Sequence, residues 1–332
     1  PEVATLVIGS GIDPRSLNGE NKMRFEELLI KTQIRLEDET FDTVADIRGG
    51  EKRVMICDRG CMDVAAYAGQ KEFNLILRRN NWDRSFLRDK RYDAVFHLET
   101  AAIGREEFYN LDNPARHETL EQARQLDQKV REAWLGHPHL AVIDNSPLFE
   151  EKIKRLLNKT RRVLGIPVAV EIERKFLVAE QMDFDKIPVA FQKIDIEQIY
   201  LKEESGEARL RKRNQAGCGA VYYETQKKET PSAIIRVETE KQISRDEYYK
   251  RFNNIDPETE PLHKTRVCFL WKNQYFELDI FIEPERLRGL TLLEIELTEE
   301  NDHFEIPAWL GKVTEVSEEK TYGNKRLAKR PQ

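Results

Sequence analysis

Cysteine is scarce in this chain: Cys57, Cys61, Cys218 and Cys268 are the only four in 332 residues. Their spacing matches no zinc-binding pattern, and they are too few for a disulfide framework, so free thiols in a reducing compartment are expected. No apolar run approaches the ~20 residues that cross a bilayer, and no signal-peptide pattern occurs. The expected location is therefore cytoplasmic, or peripheral to a membrane. Charge of one sign is also missing. Lys and Arg number 54 against 60 Asp and Glu, for a net charge of -6, which makes no general case for nucleic-acid or bulk anionic-membrane binding. Internal repeats and low-complexity tracts are absent. So is the phosphate loop G-x-x-x-x-G-K-[ST], because Gly9-Ser10-Gly11 has no lysine after it. His137-Pro138-His139 and Cys57-Asp58-Arg59-Gly60-Cys61 lack partners at metal-ligand spacing and are read as structural.

What the chain has in abundance is mixed charge, 34% of its residues. The length suits two domains. In the first half, helix periodicity at 24–41, 67–80, 114–135 and 149–164 alternates with short buried-strand patterns at 53–58, 94–99 and 139–144. Short apolar strands between helices predict an α/β, doubly wound parallel sheet. Gly165-Ile166-Pro167 ends the last helix and marks the boundary, giving domains 1–166 and 167–332. Beyond it the pattern turns to strands, at 170–178, 195–201, 208–213, 221–228, 234–242, 264–270, 274–282 and 292–298.

Side chains on a strand alternate faces with period two. In Glu171-Ile172-Glu173-Arg174-Lys175 this puts Glu171, Glu173 and Lys175 on one face. The same reading groups Arg209, Arg211 and Arg213; Tyr223, Thr225 and Lys227; Arg236, Glu238 and Glu240; Lys264 and Arg266; Glu277 and Asp279; and Glu294 and Glu296. Val267, Phe269, Leu278, Ile280, Leu293, Ile295 and Leu297 alternate with them. A solvated strand face explains any one strand equally well. The set is better explained by a closed barrel of about eight strands, wide enough to hold a ligand, with its charged faces inward. Burying such charges unpaired would cost several kcal/mol each or more, so the interior must hold water, metal ions and a polyanion. Arginine forks grip phosphate, and carboxylates hold Mg2+ or Mn2+.

The ordered series Glu171-x-Glu173-x-Lys175, Arg209-x-Arg211, Lys227, Arg236-x-Glu238-x-Glu240, Lys264-x-Arg266, Glu277-x-Asp279 and Glu294-x-Glu296 resembles the CYTH domain of the triphosphate tunnel metalloenzymes. The resemblance runs from Val168 to about Ala328 and includes Lys312-Val313-Thr314-Glu315-Val316 and Tyr322-Gly323-Asn324. The acidic residue usual after Val-Thr is displaced here into Ser317-Glu318-Glu319. The resemblance implies an α+β domain built on a closed eight-stranded antiparallel barrel, or tunnel. It implies Glu171, Glu173, Asp279, Glu294 and Glu296 as metal ligands, with Glu277 in support. Lys175, Arg209, Arg211, Lys227, Arg236, Lys264 and Arg266 would bind the triphosphate, and Glu171, Glu173 and Lys175 would be the catalytic group. The implied chemistry is metal-dependent hydrolysis of a nucleoside triphosphate or other polyphosphate.

In the first domain, Asp58 falls at an expected strand end, where a carboxylate can help hold magnesium, though strand-end Asp is also a common helix cap. Arg116, Arg124 and Arg131 resemble the lid arginines of nucleotide kinases; a solvated helix face is the plainer reading. Asp144-Asn145-Ser146-Pro147 follows a strand and would touch a base or cap the last helix. Together with Pro1-Glu2-Val3-Ala4-Thr5, Asp58–Asp63 and Asn113–Glu118, these segments resemble the P-loop ATPase-like domain that precedes a CYTH domain in the TRPL channel translocation defect proteins. There the phosphate loop lies just upstream of the segment that begins this chain, so either a stretch before Pro1 is missing, which is the favoured expectation, or the domain has lost nucleotide binding. That resemblance implies GTP or ATP as a further ligand. It also implies an alternative role, as a GTP- and phosphoinositide-binding regulator of membrane protein traffic without fast turnover, with phosphoinositides or proteins as partners. A structural subunit that keeps the fold is the third reading.

Overall fold

The computed structural model describes residues 3–48, 53–113, 116–145, 148–166, 170–180, 182–203, 207–229, 235–298 and 302–331, without the side chains of 48, 170, 171, 228, 229 and 235–237. Packing divides the chain into two units, Pro1–Arg88 with Glu99–Trp134, and Asp89–Leu98 with Leu135–Gln332. By these contacts residues 89–98 and 135–166 go with the C-terminal strands. No helix among the described residues is long and apolar enough to cross a membrane.

The first unit is helical in its described residues. It contains α1 (Val3–Gly9), α2 (Gly19–Arg48), α3 (Val64–Ala68), α4 (Gln70–Asn80) and α5 (Leu120–Ala133). Thr119 and Gln122 form a reciprocal capping box that starts α5. Phe25, Ile30, Met62, Phe73, Ile76 and Trp134 are buried, and the Trp134 indole donates to Asp63 Oδ1 at 2.6 Å. The strand expected at 53–58 is not formed. Val54, Met55 and Ile56 are exposed, because an apolar strand needs partners and this unit has none among its described residues.

The expected doubly wound sheet is reduced to one parallel pair, β1 (Val95–Leu98) and β2 (Leu140–Ile143), in the second unit. There α6 (Phe149–Val163) leads into a nine-stranded antiparallel sheet. Its strands are β3 (Val170–Val178), β4 (Phe191–Leu201), β5 (Glu207–Gln215), β6 (Gly219–Glu229), β7 (Ile235–Ile243), β8 (Leu262–Trp271), β9 (Gln274–Glu283), β10 (Thr291–Leu297) and β11 (Val313–Glu315). The order is β10-β9-β8-β4-β5-β6-β7-β3-β11, and β10 also pairs directly with β3. All eight expected strands form. The ninth, β11, shares one edge of β3 with β7, while β10 takes the other edge. A Ser244–Glu247 capping box opens α7 (Arg245–Lys250), and α8 (Asn324–Ala328) follows the last strand.

The apolar faces of β3, β8, β9 and β10 make the main core. Ile172, Phe176, Val267, Phe269, Phe276, Leu278, Leu293 and Ile295 are buried in one cluster that Leu310 completes. Phe269 and Phe276 stack at a centroid distance of 5.6 Å. With one face of these strands committed to this core, the charged residues that alternate with it must all lie on the other.

Candidate functional site

Register carries a single face from strand to strand, because residues directly opposite in a ladder share a side of the sheet. Lys175 and Glu173 on β3 stand opposite Glu294 and Glu296 on β10, and Glu294 stands opposite Glu277 on β9. Asp279 faces Arg266 on β8. On β4, Ile194 faces Arg266 and Ile196 faces Lys264; its other edge puts Ile196, Gln198 and Tyr200 opposite Arg213, Arg211 and Arg209 on β5. Arg211 faces Tyr223 and Arg209 faces Thr225 on β6, while Thr225 and Lys227 face Glu240 and Glu238 on β7. Glu171 stands opposite Arg236, which brings the series back to β3; the side chains of these two site candidates lie outside those described.

Within this face the charges form two ion clusters. In the first, Lys175 Nζ contacts Glu173 Oε1 and Glu294 Oε1, each at 2.9 Å. Arg266 grips Asp279 with Nε and Nη2 at 2.6 and 2.7 Å, reaches Glu294 Oε2 at 2.9 Å and also donates to Glu277. Lys264 Nζ donates to Asp279 and to Asn324 Oδ1, the latter at 3.3 Å. Burial opposes charge on Lys175 and Glu294, yet the Glu173 and Glu294 carboxylates hold the Lys175 pKa above its usual value, and Lys175, Lys264 and Arg266 hold that of Glu294 well below. Lys264 goes the other way. Burial, with Arg266 beside it, outweighs Asp279 and brings its pKa down to about 8.

In the second cluster, Lys227 Nζ lies 2.5 Å from Glu238 Oε2, and Arg209 Nη2 donates to Glu238 Oε1 at 3.4 Å. Thr225 Oγ1 donates to Glu240 Oε2 at 2.8 Å, and Arg211 Nη1 lies 3.6 Å from the same oxygen. Arg211 is poorly compensated: burial and the neighbouring Arg209 lower its pKa, and Glu240 only partly offsets them. Arg209 Nε, Arg211 Nε and Arg213 Nη1 are buried donors without a hydrogen-bond partner among the described residues. A buried donor left unmade costs about 1–3 kcal/mol, so three on adjacent side chains mark a place where acceptors are missing.

The carboxylates differ in what they could hold. Asp279 has both oxygens committed to Arg266 and Lys264. Glu173 and Glu296 lie directly opposite each other on β3 and β10, and Glu171 shares their face two residues along. Like charges so placed repel, and Lys175 Nζ, 2.9 Å from Glu173 Oε1, offsets part of that repulsion. No group of three or more His, Cys, Asp or Glu stands ready to hold an ion among the described residues.

A cavity of ≈ 400 Å³ opens on this face, lined by Glu173, Glu240, Glu294 and Glu296, and by His139 and Lys159 from β2 and α6. Strand patterning did not find Gln198 and Tyr200, because they are uncharged. Both are fully buried on the charged face, and Gln198 Nε2 donates to the Tyr200 hydroxyl at 2.6 Å. His139 belongs to the His137-Pro138-His139 segment read as structural, because no partner lies at ligand spacing in the sequence. The first-unit candidates do not come together with comparable geometry. Asp58 is exposed, and no strand precedes it. Arg116 lies over the Tyr109 ring. Arg124 is bound to the Ala102 carbonyl and Glu106, and Arg131 to Asp127.

Residues 1–152 match the family described as AAA domain. No curated protein matches the chain. Among solved structures, the chain is similar to the inorganic triphosphatase NE1496 at 34% identity, covering 49% of this chain and 97% of that one with a TM-score of 0.34. It is also similar to the PH1012 protein from Pyrococcus horikoshii OT3, at 22% identity over 40% of this chain and 80% of that one with a TM-score of 0.29. HpAC1 from Hippeastrum, described as having a dominant triphosphatase activity, matches at 15% identity over 39% of this chain and 80% of its own, with a TM-score of 0.30.

Proposed function

We propose that the charged face binds the phosphate chain of an inorganic or organic triphosphate and, with Mg2+ or Mn2+, hydrolyses a phosphoanhydride bond. The observation that carries this reading is the set of unpartnered buried donors on Arg209, Arg211 and Arg213, beside an under-compensated Arg211. Phosphate oxygens supply the acceptors that the carboxylates of the face do not. The pairing of β10 with both β9 and β3 supports reading the eight strands β3–β10 as a tunnel around the ligand.

In this account Arg209, Arg211, Lys227 and Arg236 hold one stretch of the chain of phosphates, and Lys175, Lys264 and Arg266 the other. Asp279 and Glu294 keep Arg266, Lys264 and Lys175 charged and oriented while the ligand is absent. Glu171, Glu173 and Glu296 would hold the divalent ion, which would supply charge neutralisation at the phosphates and orient water for in-line attack. The tunnel residues bind and align the phosphates so that one P–O–P bridge breaks as a water oxygen adds to phosphorus, giving two phosphorylated products.

The first test is titration of inorganic tripolyphosphate into the full chain, with release of phosphate measured in Mg2+ or Mn2+. Saturable binding with metal-dependent release supports the whole proposal. Binding without release on tripolyphosphate, ATP, GTP or thiamine triphosphate would overturn the hydrolytic half, and no binding by folded protein would overturn both halves.

A further inference from the structure

The turn that leads into β2 is tied to the charged face from several sides. Arg213 Nη2, from β5, donates to the Gly136 carbonyl at 2.8 Å. The buried His137 ring contacts the Tyr92 carbonyl at 2.9 Å through Nε2 and accepts from the His139 amide at 3.0 Å through Nδ1. The Val95 amide of β1 donates to the His139 carbonyl at 2.9 Å. With its backbone held in this way, the His139 side chain lines the cavity and places Nε2 3.8 Å from Glu240 Oε1. The other oxygen of the same carboxylate, Oε2, lies 3.6 Å from Arg211 Nη1 and accepts from Thr225. Glu240 is thus shared between an imidazole and a guanidinium that approach it from opposite oxygens.

We propose that His139 is a positioning residue of the polyphosphate site, holding the Glu240 carboxylate away from Arg211 so that this guanidinium remains available to phosphate. The inference rests on the polyphosphate reading of the charged face. An arginine fully engaged by a carboxylate must lose that partner before it can take another, whereas one held at 3.6 Å with a free Nε has little to lose. The carboxylates facing His139 are Glu240 and Glu238 from β7 and Glu296 from β10. The surrounding protein disfavours its charge, although 42% of the side chain is exposed, but these groups, Glu240 foremost, raise its pKa to about 9, so the imidazolium is the form present at neutral pH.

The test uses the full chain with inorganic tripolyphosphate and Mg2+, in five forms: unchanged, His139→Gln, His139→Lys, Glu240→Gln and the double variant His139→Gln/Glu240→Gln. His139→Gln is expected to weaken binding roughly threefold or more, with KM rising more than kcat falls. His139→Lys restores a cation and most of the affinity. In the Glu240→Gln background, His139→Gln has no further effect, since there is no carboxylate left to hold back. Equal affinity of His139→Gln and the unchanged chain would overturn the proposal, as would an undiminished loss in the Glu240→Gln background. If the unchanged, folded chain binds no tripolyphosphate, it is the polyphosphate reading that fails, and with it this inference. Thermal melts of each form separate loss of binding from loss of fold.

Discussion

Two buried ions of the charged face should respond oppositely to removal. Asp279 neutralises Arg266 and Lys264 with both oxygens, so Asp279→Asn leaves two buried cations short of a partner. We predict a loss of about 3–5 kcal/mol in urea unfolding. Arg211 is the reverse case: its charge is under-compensated in the ligand-free protein, and one of its donors has no partner. Arg211→Met should therefore melt no lower than the unchanged chain, the pattern expected where function is kept at a cost in stability. A clear drop in melting temperature for Arg211→Met would show that Arg211 is a structural ion and not a ligand group. At this scale the sequence was informative wherever charge alternated. Lys175, Arg209, Arg211, Lys227, Lys264, Arg266, Asp279 and Glu294 all occupy the face their spacing predicts. His139 could not be read this way, because it reaches Glu240, 101 residues on, through a turn fixed by tertiary contacts 44 to 77 residues away.

The strands show where periodicity misleads. On β4 the charged residues Lys193, Asp195 and Glu197 point away from the charged face, and Ile194, Ile196, Gln198 and Tyr200 point into it. Charge alternation taken strand by strand would invert β4; only its register with β5 and β8 sets it right. The apolar run 54–56 misled in another way, since β-propensity without a partner strand leaves it exposed. Among the helices, α2 buries Glu26 with Oε2 unpartnered, and burial pushes its pKa up to about 7. The unfolded chain loses this proton near pH 4.5, while the folded chain keeps it until about 7. Stability is therefore lost as pH rises from about 4.5 to 7, and the penalty stays constant above that. Glu26→Gln should remove it, raising stability at pH 8 by about 2–3 kcal/mol and by much less at pH 4. Equal effects at both pH values would show that the carboxyl is not held neutral. The raised pKa of His139, beside Glu240, has the same sign in a higher pH window. Its contribution is fully present below pH 6.5 and lost as pH rises through about 9.

At the scale of the whole molecule, the charged face of the nine-stranded sheet opens on a cavity that β2 and α6 help to line. The strands of the second half were legible because seven of the eight expected carry the same alternation, but they form one nine-stranded antiparallel sheet where a closed eight-stranded barrel was expected. Residues 89–98 and 135–166, which read as part of a parallel α/β domain, pack with the C-terminal strands through long-range contacts that local periodicity does not carry. Ligand binding should stabilise the folded chain by mass action, so melting temperature should rise with tripolyphosphate concentration. That rise should shrink between pH 8 and 9, as Lys264 and then His139 lose their protons. The most direct measurement is calorimetric titration of inorganic tripolyphosphate with Mg2+ into the full chain and into Arg211→Met. The account predicts one saturable site in the unchanged chain and affinity at least about tenfold weaker in the folded variant, the loss of one charge-assisted phosphate contact. Absence of binding by the folded unchanged chain, or equal affinity in the two forms, would contradict it.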